Sequence, residues 1–563
     1  MSSPMRVITG VGVGRGAVLG PVARAHPVPH VPAGAPAHSD PEVAAAHLAA
    51  TFDAVADSLQ ERAEAAQGTL RDVLHATSLM AKDPAFASQS TAKVRAGTDP
   101  ALAVWEVAGQ FIDMFTAAGG YLAERATDLA SVRDRVVARL QGLPEPGVPA
   151  LWRPSVVVAE DLSPADTAVL DLSLVLGIVI EKGGPTSHTA IIAGQLGLPC
   201  VVRAGDAASL RDGDEVAVDA ARGTVTVDPD DVARAAVRRR CQSLATLAED
   251  TAAGATSDGH AVQLLANIGT ADDAERLTDL AVQGVGLFRT EVLFLDASTA
   301  PTEDDQAAVY ARALTALGDR KVVIRTLDAG ADKPLSFVTQ PGEENPALGV
   351  RGYRLIRTAP GLMDAQLAAI ARAARQTGEH PWVMAPMIAT VDEAAEFASR
   401  ARAAGIGTVG VMVEVPAVAL RAREVLAEVD FVSVGTNDLA QYTMATDRLR
   451  GELADLLDIW QPAVLDLVAA TAAAGLDLGK PVGVCGESAG DPVMALALTG
   501  MGITSLSMSP ASVPGVRFAL RLHTLDQCRQ IAAAARAAGS AARARAAALA
   551  LVDPQARELL ALD

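Results

Sequence analysis

The sequence predicts an α/β protein of several domains whose C-terminal half is a (β/α)8 barrel. From about residue 258 onward, eight strand-like runs alternate with helical stretches, and eight such alternations close a barrel. Ahead of them, valine-rich runs separated by Gly and Asp turns predict a smaller α/β region. A long stretch rich in Ala, Leu, Glu and Arg predicts an all-helical region. The 563 residues suffice for about three domains.

Residues 1–25 alternate valine and glycine. Gly10, Gly12, Gly14 and Gly16 never complete the G-x-G-x-x-G spacing of a dinucleotide loop, and no helix-forming run follows them. We therefore expect a glycine-rich strand pair, which a Pro-rich stretch ends.

Roughly residues 40–142 are predicted to be helical, because apolar residues recur at helical spacing, as at Leu48, Phe52, Val55 and Leu59. The stretch carries 14 acidic and nine basic residues. A solvated helical bundle is the simplest interpretation. The alternative is an acidic docking surface for a basic partner.

The strand-like runs fall into two groups. Five of them belong to the smaller α/β region: SVVVAEDL, LGIVIEK, CVVRAG, DEVAVDA and GTVTVDP. One helical stretch in this region follows His188. A charged helix over about residues 230–249 is interpreted as a linker. The barrel runs are VQLLANI (262–268), GVGLFRT (284–290), VVIRTLD (322–328), WVMAPMI (382–388), GVMVEVP (410–416), FVSVGTN (431–437), PVGVCGE (481–487) and SLSMSP (505–510).

The charge balance excludes nucleic acid as a partner. Lys and Arg total 47 against 67 Asp and Glu, a net charge of −20, and only 3% of residues are aromatic. Such a surface repels phosphate backbones and offers few rings for base stacking. A basic protein, or a substrate drawn into a locally cationic pocket, fits better.

The expected location is the cytoplasm, without membrane insertion. No apolar run approaches the ~20 residues of a membrane-spanning helix, and no secretory signal is visible. The four cysteines are Cys200, Cys241, Cys485 and Cys528. They lie far apart and form no C-x-x-C motif, so the sequence predicts neither a disulfide framework nor a zinc site.

Polar side chains follow five of the eight predicted barrel strands, at the ends where barrel enzymes place their reactive groups. They are Arg289 with Glu291, Arg325 with Asp328, Glu414, Asn437 with Asp438, and Cys485 with Glu487. Structural turns explain a few polar ends but not this concentration of them. The pattern therefore indicates a functional site.

The residue types at these ends suit a small, highly charged anion. Arg289 and Arg325 present planar forks that match phosphate or carboxylate oxygens, and they keep their charge at neutral pH. Arg448, on the loop after Asp438, adds a third fork. Glu414 and Asp438 are hard oxygen donors on adjacent strands, and two carboxylates completed by water and substrate phosphate are the usual setting for Mg²⁺.

Cys485 admits two interpretations. A lone cysteine on a strand most often serves packing. Beside several arginines its thiolate would be stabilised, which makes Cys485 a candidate acid or base near neutral pH.

A second centre lies in the stretch EKGGPTSHTAIIAGQ. A turn ending at Pro185 and two hydroxyl residues precede His188, which is predicted to open a helix. Backbone N–H groups and the helix dipole favour a phosphate there, so His188 is a candidate nucleophile that carries a phosphoryl group. The alternative is an ordinary histidine without a catalytic role. The stretch closest to a P-loop, GLDLGKPVG, fails that signature, which favours a small high-energy phosphate over a nucleotide as donor.

These residues resemble enzyme I of the bacterial sugar phosphotransferase system, the phosphoenolpyruvate (PEP)–protein phosphotransferases. Seven stretches match in the family's order and span about residues 150–510: GGPTSHTAIIA, GVGLFRTEVLF, IRTLDAGADKP, EENPALGVR, VMVEVPA, SVGTNDLAQYTMATDR and VGVCGE. The resemblance implies a swivelling phosphohistidine α/β domain (1–25 with 145–230) and an inserted helical subdomain that binds the carrier protein HPr (26–144). It further implies a linker helix (231–257) and a PEP-binding and dimerisation barrel (258–563).

The resemblance also implies a role for each site residue. Arg289, Arg325, Asn437, Asp438 and Arg448 would bind PEP, and Arg351 would assist. Glu414 and Asp438 would hold Mg²⁺. His188 would take the phosphoryl group through Nε2 and pass it to HPr, while Cys485 protonates the enolate to give pyruvate. A homodimer is expected.

One position departs from the family's pattern. Pro185 stands where the best-known members carry a basic residue, which leaves open how the phosphohistidine is neutralised. Two rival interpretations are weaker. A PEP synthase or pyruvate phosphate dikinase needs an ATP-binding domain of several hundred residues ahead of the histidine, and only about 150 precede it. A non-catalytic sensor should lack one of the site residues, and all are present.

Overall fold

The computed structural model describes residues 6–14, 16–32, 34, 38–65, 69–118, 120–149, 151–162, 170, 173–184, 189–190, 193–194, 197–295, 299–329, 335, 337–338, 343–448 and 451–562. These residues form two compact units, one within Met1–Arg238 and one within Arg239–Asp563.

The first unit contains an eight-stranded mixed sheet. Along the sheet the strands follow the order β1, β8, β7, β3, β4, β5, β6, β2, and β3 through β6 run parallel. The strands are β1 (Arg6–Thr9), β2 (Val11–Val13), β3 (Ala17–Arg24), β4 (Ser155–Ala159), β5 (Val175–Ile180), β6 (Cys200–Val202), β7 (Glu215–Asp219) and β8 (Thr224–Val227). The five strands predicted after residue 155 are therefore confirmed.

The glycine-rich start forms strands, as expected, but these strands do not pair with one another. β1 pairs with β8, β2 with β6, and β3 with β7 and β4. An alanine Cβ at Gly12 would lie 1.6 Å from the Ala220 carbonyl oxygen, and one at Gly10 would lie 2.5 Å from that of Val202. The glycines let β1 and β2 pass close to later parts of the chain, so the local alternation did not reveal the partners.

Five helices between β3 and β4 confirm the predicted helical region. They are α1 (Pro41–Ala65), α2 (Thr69–Ala81), α3 (Pro84–Arg95), α4 (Pro100–Ala118) and α5 (Gly120–Leu140). Leu48, Phe52, Val55 and Leu59 are buried in their shared core, as their spacing predicts. Phe52 meets Phe86 of α3 edge-to-face at 5.0 Å. The predicted charged helix follows the sheet as α6 (Asp231–Ala248).

The second unit is a closed barrel of eight parallel strands. All eight predicted runs form strands: β9 (Gln263–Ile268), β10 (Gly284–Arg289), β11 (Lys321–Arg325), β12 (Trp382–Ala385), β13 (Thr408–Val413), β14 (Phe431–Val434), β15 (Val482–Val484) and β16 (Ser505–Met508). β16 pairs with β9 and closes the barrel. All strands therefore end at the same mouth, which positions the site.

Helices follow the barrel strands and surround them. They are α7 (Ala271–Arg276), α8 (Val292–Leu295), α9 (Glu303–Leu317), α10 (Pro360–Thr377), α11 (Val391–Ala404), α12 (Pro416–Leu420), α13 (Ala422–Glu428), α14 (Thr436–Thr443), α15 (Pro462–Leu478), α16 (Pro492–Met501), α17 (Val513–Leu522), α18 (Leu525–Arg536), α19 (Ala541–Leu549) and α20 (Pro554–Leu560). Capping boxes at Thr270, Thr302, Thr390 and Thr524 fix where four of them begin.

The stretch Glu452–Leu478 is long and apolar enough, by length and composition alone, to cross a membrane. It includes α15, which contacts α13, α18 and β15. Val464, Leu465 and Val468 of this helix are buried in the barrel's core. The apolar composition of α15 is thus explained by its place against the barrel.

Candidate active site

The mouth of the barrel collects the polar strand ends that the sequence singled out. Each lies on the last residue of a strand or within the next few residues. Arg289 ends β10, Arg325 ends β11, Glu414 follows β13, Asn437 and Asp438 lie in the first turn of α14, and Cys485 follows β15.

Two arginines and three carboxylates form a continuous series of ion pairs across this mouth. Arg325 donates to Glu291, and its Nη1 lies 3.2 Å from Asp328 Oδ2. Asp328 accepts from Arg351 Nη2 at 3.2 and 3.3 Å, and Arg351 Nη1 lies 3.1 Å from Asp438 Oδ1. We call the series Glu291–Arg325–Asp328–Arg351–Asp438 the charge ladder. It joins the ends of β10 and β11 to the start of α14.

The arginines of the ladder are buried and remain charged. Arg325 is 5% exposed and Arg351 is 2% exposed. Burial alone would lower the pKa of Arg325, but the charges of Glu291, Asp328 and Glu414 outweigh it and raise that pKa. The Asp328 and Asp438 charges raise the pKa of Arg351 in the same way. Guanidinium groups held so firmly are pre-oriented for an anionic ligand.

Two further arginines border the mouth. Arg448 Nη1 lies 3.9 Å from Asp438 Oδ2, and its side chain is 30% exposed. Arg289 is half-buried, and its charge lowers the pKa of the Cys485 thiol, so the two groups lie within electrostatic range of each other. Arg351, to which the resemblance assigned an assisting role, bridges Asp328 and Asp438 and is more deeply buried than Arg448.

Glu414 offers a free oxygen to the mouth. Its Oε2 accepts from the Met387 backbone N–H at 2.9 Å, whereas its buried Oε1 has no hydrogen-bond partner among the described residues. Burial, then the nearby charges of Asp438 and Asp328, raise the pKa of Glu414. An alanine Cβ at Gly435 would lie 2.7 Å from Oε1, so glycine there leaves room beside this buried oxygen.

An unusual backbone conformation positions the Met387 N–H. Met387 has φ 61°, in the left-handed region that a non-glycine residue rarely adopts. Gly352, with φ 55°, packs against it: an alanine Cβ at Gly352 would lie 2.9 Å from both Cβ and Cγ of Met387. Tyr353 N–H also donates to the Pro386 carbonyl at 3.2 Å. Residues 352–353 therefore hold the turn that orients Glu414.

The surroundings of Cys485 favour the neutral thiol over the thiolate. Burial raises the pKa of Cys485 to about 11, more than the Ser433 hydrogen bond and the Arg325 and Arg289 charges lower it. The sequence revealed the arginines but not the depth of the thiol inside the barrel. A buried thiol of this kind can donate a proton but does not stand ready as a base.

Three family models match the chain. They describe a PEP-utilising enzyme's N-terminal domain (residues 9–125), mobile domain (152–223) and PEP-binding domain (245–524). A phosphoenolpyruvate-protein phosphotransferase of Streptomyces coelicolor is 47% identical over 554 residues, covering 97% of this chain and 99% of the relative. The chain belongs to the phosphoenolpyruvate-protein phosphotransferase family.

Other phosphoenolpyruvate-protein phosphotransferases are similar over most of their length. That of Haloferax volcanii is 40% identical, covering 80% of this chain and 81% of the relative. That of Bacillus subtilis is 36% identical, covering 78% and 81%. The resemblance drawn from the seven sequence stretches is thereby confirmed.

Phosphoenolpyruvate-protein phosphotransferases need a divalent metal ion, and the residues at the mouth fit one. Glu414 and Asp438 follow adjacent strands, their mutual repulsion contributes to the raised pKa of Glu414, and Glu414 Oε1 lacks a partner among the described residues. A divalent cation would relieve that repulsion. With two carboxylates from the chain, water and substrate would complete the coordination.

The predicted nucleophile of this phosphotransferase, His188, lies outside the described residues, as does the stretch 185–187. The described chain just before it includes Gly183, whose carbonyl accepts from Arg203 Nε at 3.3 Å. Arg203 thus places a cation at the turn before Pro185. The sequence did not single out Arg203, because it lies 20 residues after Gly183 along the chain and meets it only through the fold.

Proposed function

We propose that this chain takes the phosphoryl group of PEP onto His188, releases pyruvate, and passes the phosphoryl group to the histidine of HPr. The observation that carries the proposal is the 47% identity to a phosphoenolpyruvate-protein phosphotransferase over 97% of the chain, because it spans both the barrel and the His188 segment. The geometry at the mouth of the barrel supports the same chemistry.

The substrate-binding roles follow from the charges at the mouth. Arg289, Arg325 and Arg448 hold the phosphate of PEP, and Asn437 contacts the substrate. Arg351 acts by fixing Asp328 and Asp438, its ion-pair partners. Glu414 and Asp438 hold Mg²⁺, which, when bound, offsets the negative charge of the transferring phosphoryl group.

The transfer itself needs a nucleophile and an acid. His188 attacks phosphorus through Nε2 while the arginines stabilise the charge of a loose, in-line transition state. The P–O bond to the enolate breaks, and C3 of the enolate takes the proton of the Cys485 thiol. The raised pKa of Cys485, about 11, supports this role, because the thiol carries its proton at neutral pH.

We propose the domain roles on the same basis. The phosphohistidine domain comprises residues 1–25 and 145–230, and the inserted helical subdomain, residues 26–144, docks HPr. Residues 231–257 form the linker helix between this part of the chain and the barrel. The barrel, residues 258–563, binds PEP and forms a homodimer. The cytoplasm is the proposed location, because PEP and HPr are found there.

Phosphate-labelled PEP tests the proposal directly. With Mg²⁺ present, the purified chain should acquire an acid-labile, base-stable label from PEP and none from ATP, and HPr should remove it. His188→Ala should abolish the label, whereas His75→Ala, at an exposed position on α2, should keep it. A folded chain that takes no label from PEP would refute the proposal and favour a sensor.

A further inference from the structure

A half-buried lysine lies at the end of the barrel opposite the mouth. Lys321 opens β11, the strand that Arg325 ends. Its Nζ lies 3.8 Å from the centre of the Trp382 ring and 3.4 Å from Gln263 Oε1. The mechanism above gives this side chain no role.

Lys321 can lose its proton near neutral pH. Burial lowers its pKa to about 8, with no charged group contributing. The residues beside it on β9, β10 and β12 are Gln263, Gly284 and Trp382, none of which titrates.

A cavity of about 10 Å³ adjoins Lys321 inside the barrel and has room for about one water molecule. Ser433, Ser505 and Ser507 line it together with Lys321. An alanine Cβ at Gly483 would lie 2.6 Å from Ser505 Oγ and 3.8 Å from Ser433 Oγ. Glycine at this position therefore keeps the space between the two hydroxyl groups open.

One lining residue of the cavity, Ser433, interacts with the proposed proton donor Cys485. The Ser433 side chain forms a hydrogen bond with the Cys485 side chain, and the Cys485 sulfur also donates to the Val434 carbonyl at 3.8 Å. The surrounding interior is otherwise apolar, formed by Leu287, Val323 and Met412 among others. Polar groups thus run from Lys321 through the serine-lined cavity to Cys485.

We propose that these groups return a proton to Cys485 after each turnover, with Lys321 as the point of entry. The inference rests on the proposed function, since it takes Cys485 as the acid that protonates the enolate. The Cys485 thiolate left by that step takes the Ser433 hydroxyl proton, and Ser433 takes one from water in the cavity. The Lys321 ammonium replaces that proton and regains its own from solvent, so one solvent proton enters for each pyruvate formed.

Two reactions of the full chain with Mg²⁺ differ in their need for this path. Turnover of PEP with HPr consumes one proton per cycle. Isotope exchange between pyruvate and PEP consumes none, because the thiolate formed in one direction takes the proton back in the other. Loss of the path should therefore slow turnover and spare exchange.

Three variants test the difference. Lys321→Met should lower turnover at least fivefold and leave exchange within twofold of the original rate. Lys321→Arg should do the same, because a guanidinium keeps the charge beside Trp382 but does not release its proton. Lys480→Met is the matched control: its ammonium donates to the Val429 carbonyl at 2.8 Å, outside the cavity lining, and both rates should persist.

The pH dependence gives a further readout. Turnover of the unaltered chain should fall above about pH 8, as Lys321 loses its proton, while exchange does not follow that decline. Equal loss of both reactions in Lys321→Met, or full turnover in Lys321→Arg, would overturn the proposal. An unaltered chain with neither label nor exchange would instead refute the phosphotransferase mechanism itself.

Discussion

Replacement of Gly352 by alanine should weaken metal binding, although Gly352 holds no ligand. At φ 55° an alanine is strained by roughly 1–2 kcal/mol. Its Cβ would also lie 2.9 Å from Met387 Cβ and Cγ, which must then move. The Met387 N–H donates to Glu414 Oε2 at 2.9 Å, and a hydrogen bond to a charged group contributes about 1.5–3 kcal/mol.

The expected result is a loss of affinity for a divalent cation of roughly 10- to 100-fold, the usual effect of disturbing a group that orients a metal ligand. Titration with Mn²⁺, followed by electron paramagnetic resonance, measures it without PEP. Gly378→Ala is the matched control, since Gly378 has φ 79° and no atom within 4 Å of the added Cβ. Equal metal affinity in the two variants, with only stability lowered, would refute the argument.

Three further predictions concern the charged and nucleophilic side chains. At pH 7.5, iodoacetamide should modify half-buried Cys241 but not Cys485, because the raised pKa of Cys485 keeps its side chain a neutral thiol. Peptide mass spectrometry measures the labelling of both cysteines, and rapid labelling of Cys485 would contradict the neutral thiol. Arg325→Met should lower the free energy of unfolding by about 3–5 kcal/mol in urea titrations, since it leaves the buried Glu291 carboxylate without its ladder partner and removes one of the two arginines that pair with Asp328; a change below about 1 kcal/mol would argue against a structural ladder. Arg203→Met should shorten the lifetime of the phosphorylated chain, because its guanidinium lies at the turn before Pro185; an unchanged decay of the label would exclude that role.

The sequence predicted the barrel well because each of its strands is a short apolar run between helical stretches. Every barrel run, the helical region and the charged helix α6 were confirmed. The polar strand ends were also found from sequence, since a closed parallel barrel brings all carboxyl ends to one mouth.

Features that depend on long-range packing were not predictable. The partners of β1 and β2 lie about 190–220 residues away along the chain, so local alternation could not identify them. The thiol state of Cys485 depends on its burial, and the central place of Arg351 depends on ion pairs with Asp328 and Asp438. Neither burial nor pairing is visible in a strand-end motif.

The charge ladder has a consequence for how ligands bind. The described side chains at the mouth include four arginines and four carboxylates: Arg289, Arg325, Arg351 and Arg448, and Glu291, Asp328, Glu414 and Asp438. The numbers of positive and negative side chains are therefore equal. A cation or an anion that binds alone adds net charge to the mouth, whereas a cation and an anion that bind together offset each other's charge. Metal and PEP should therefore each increase the affinity for the other by the same factor, as thermodynamic linkage requires.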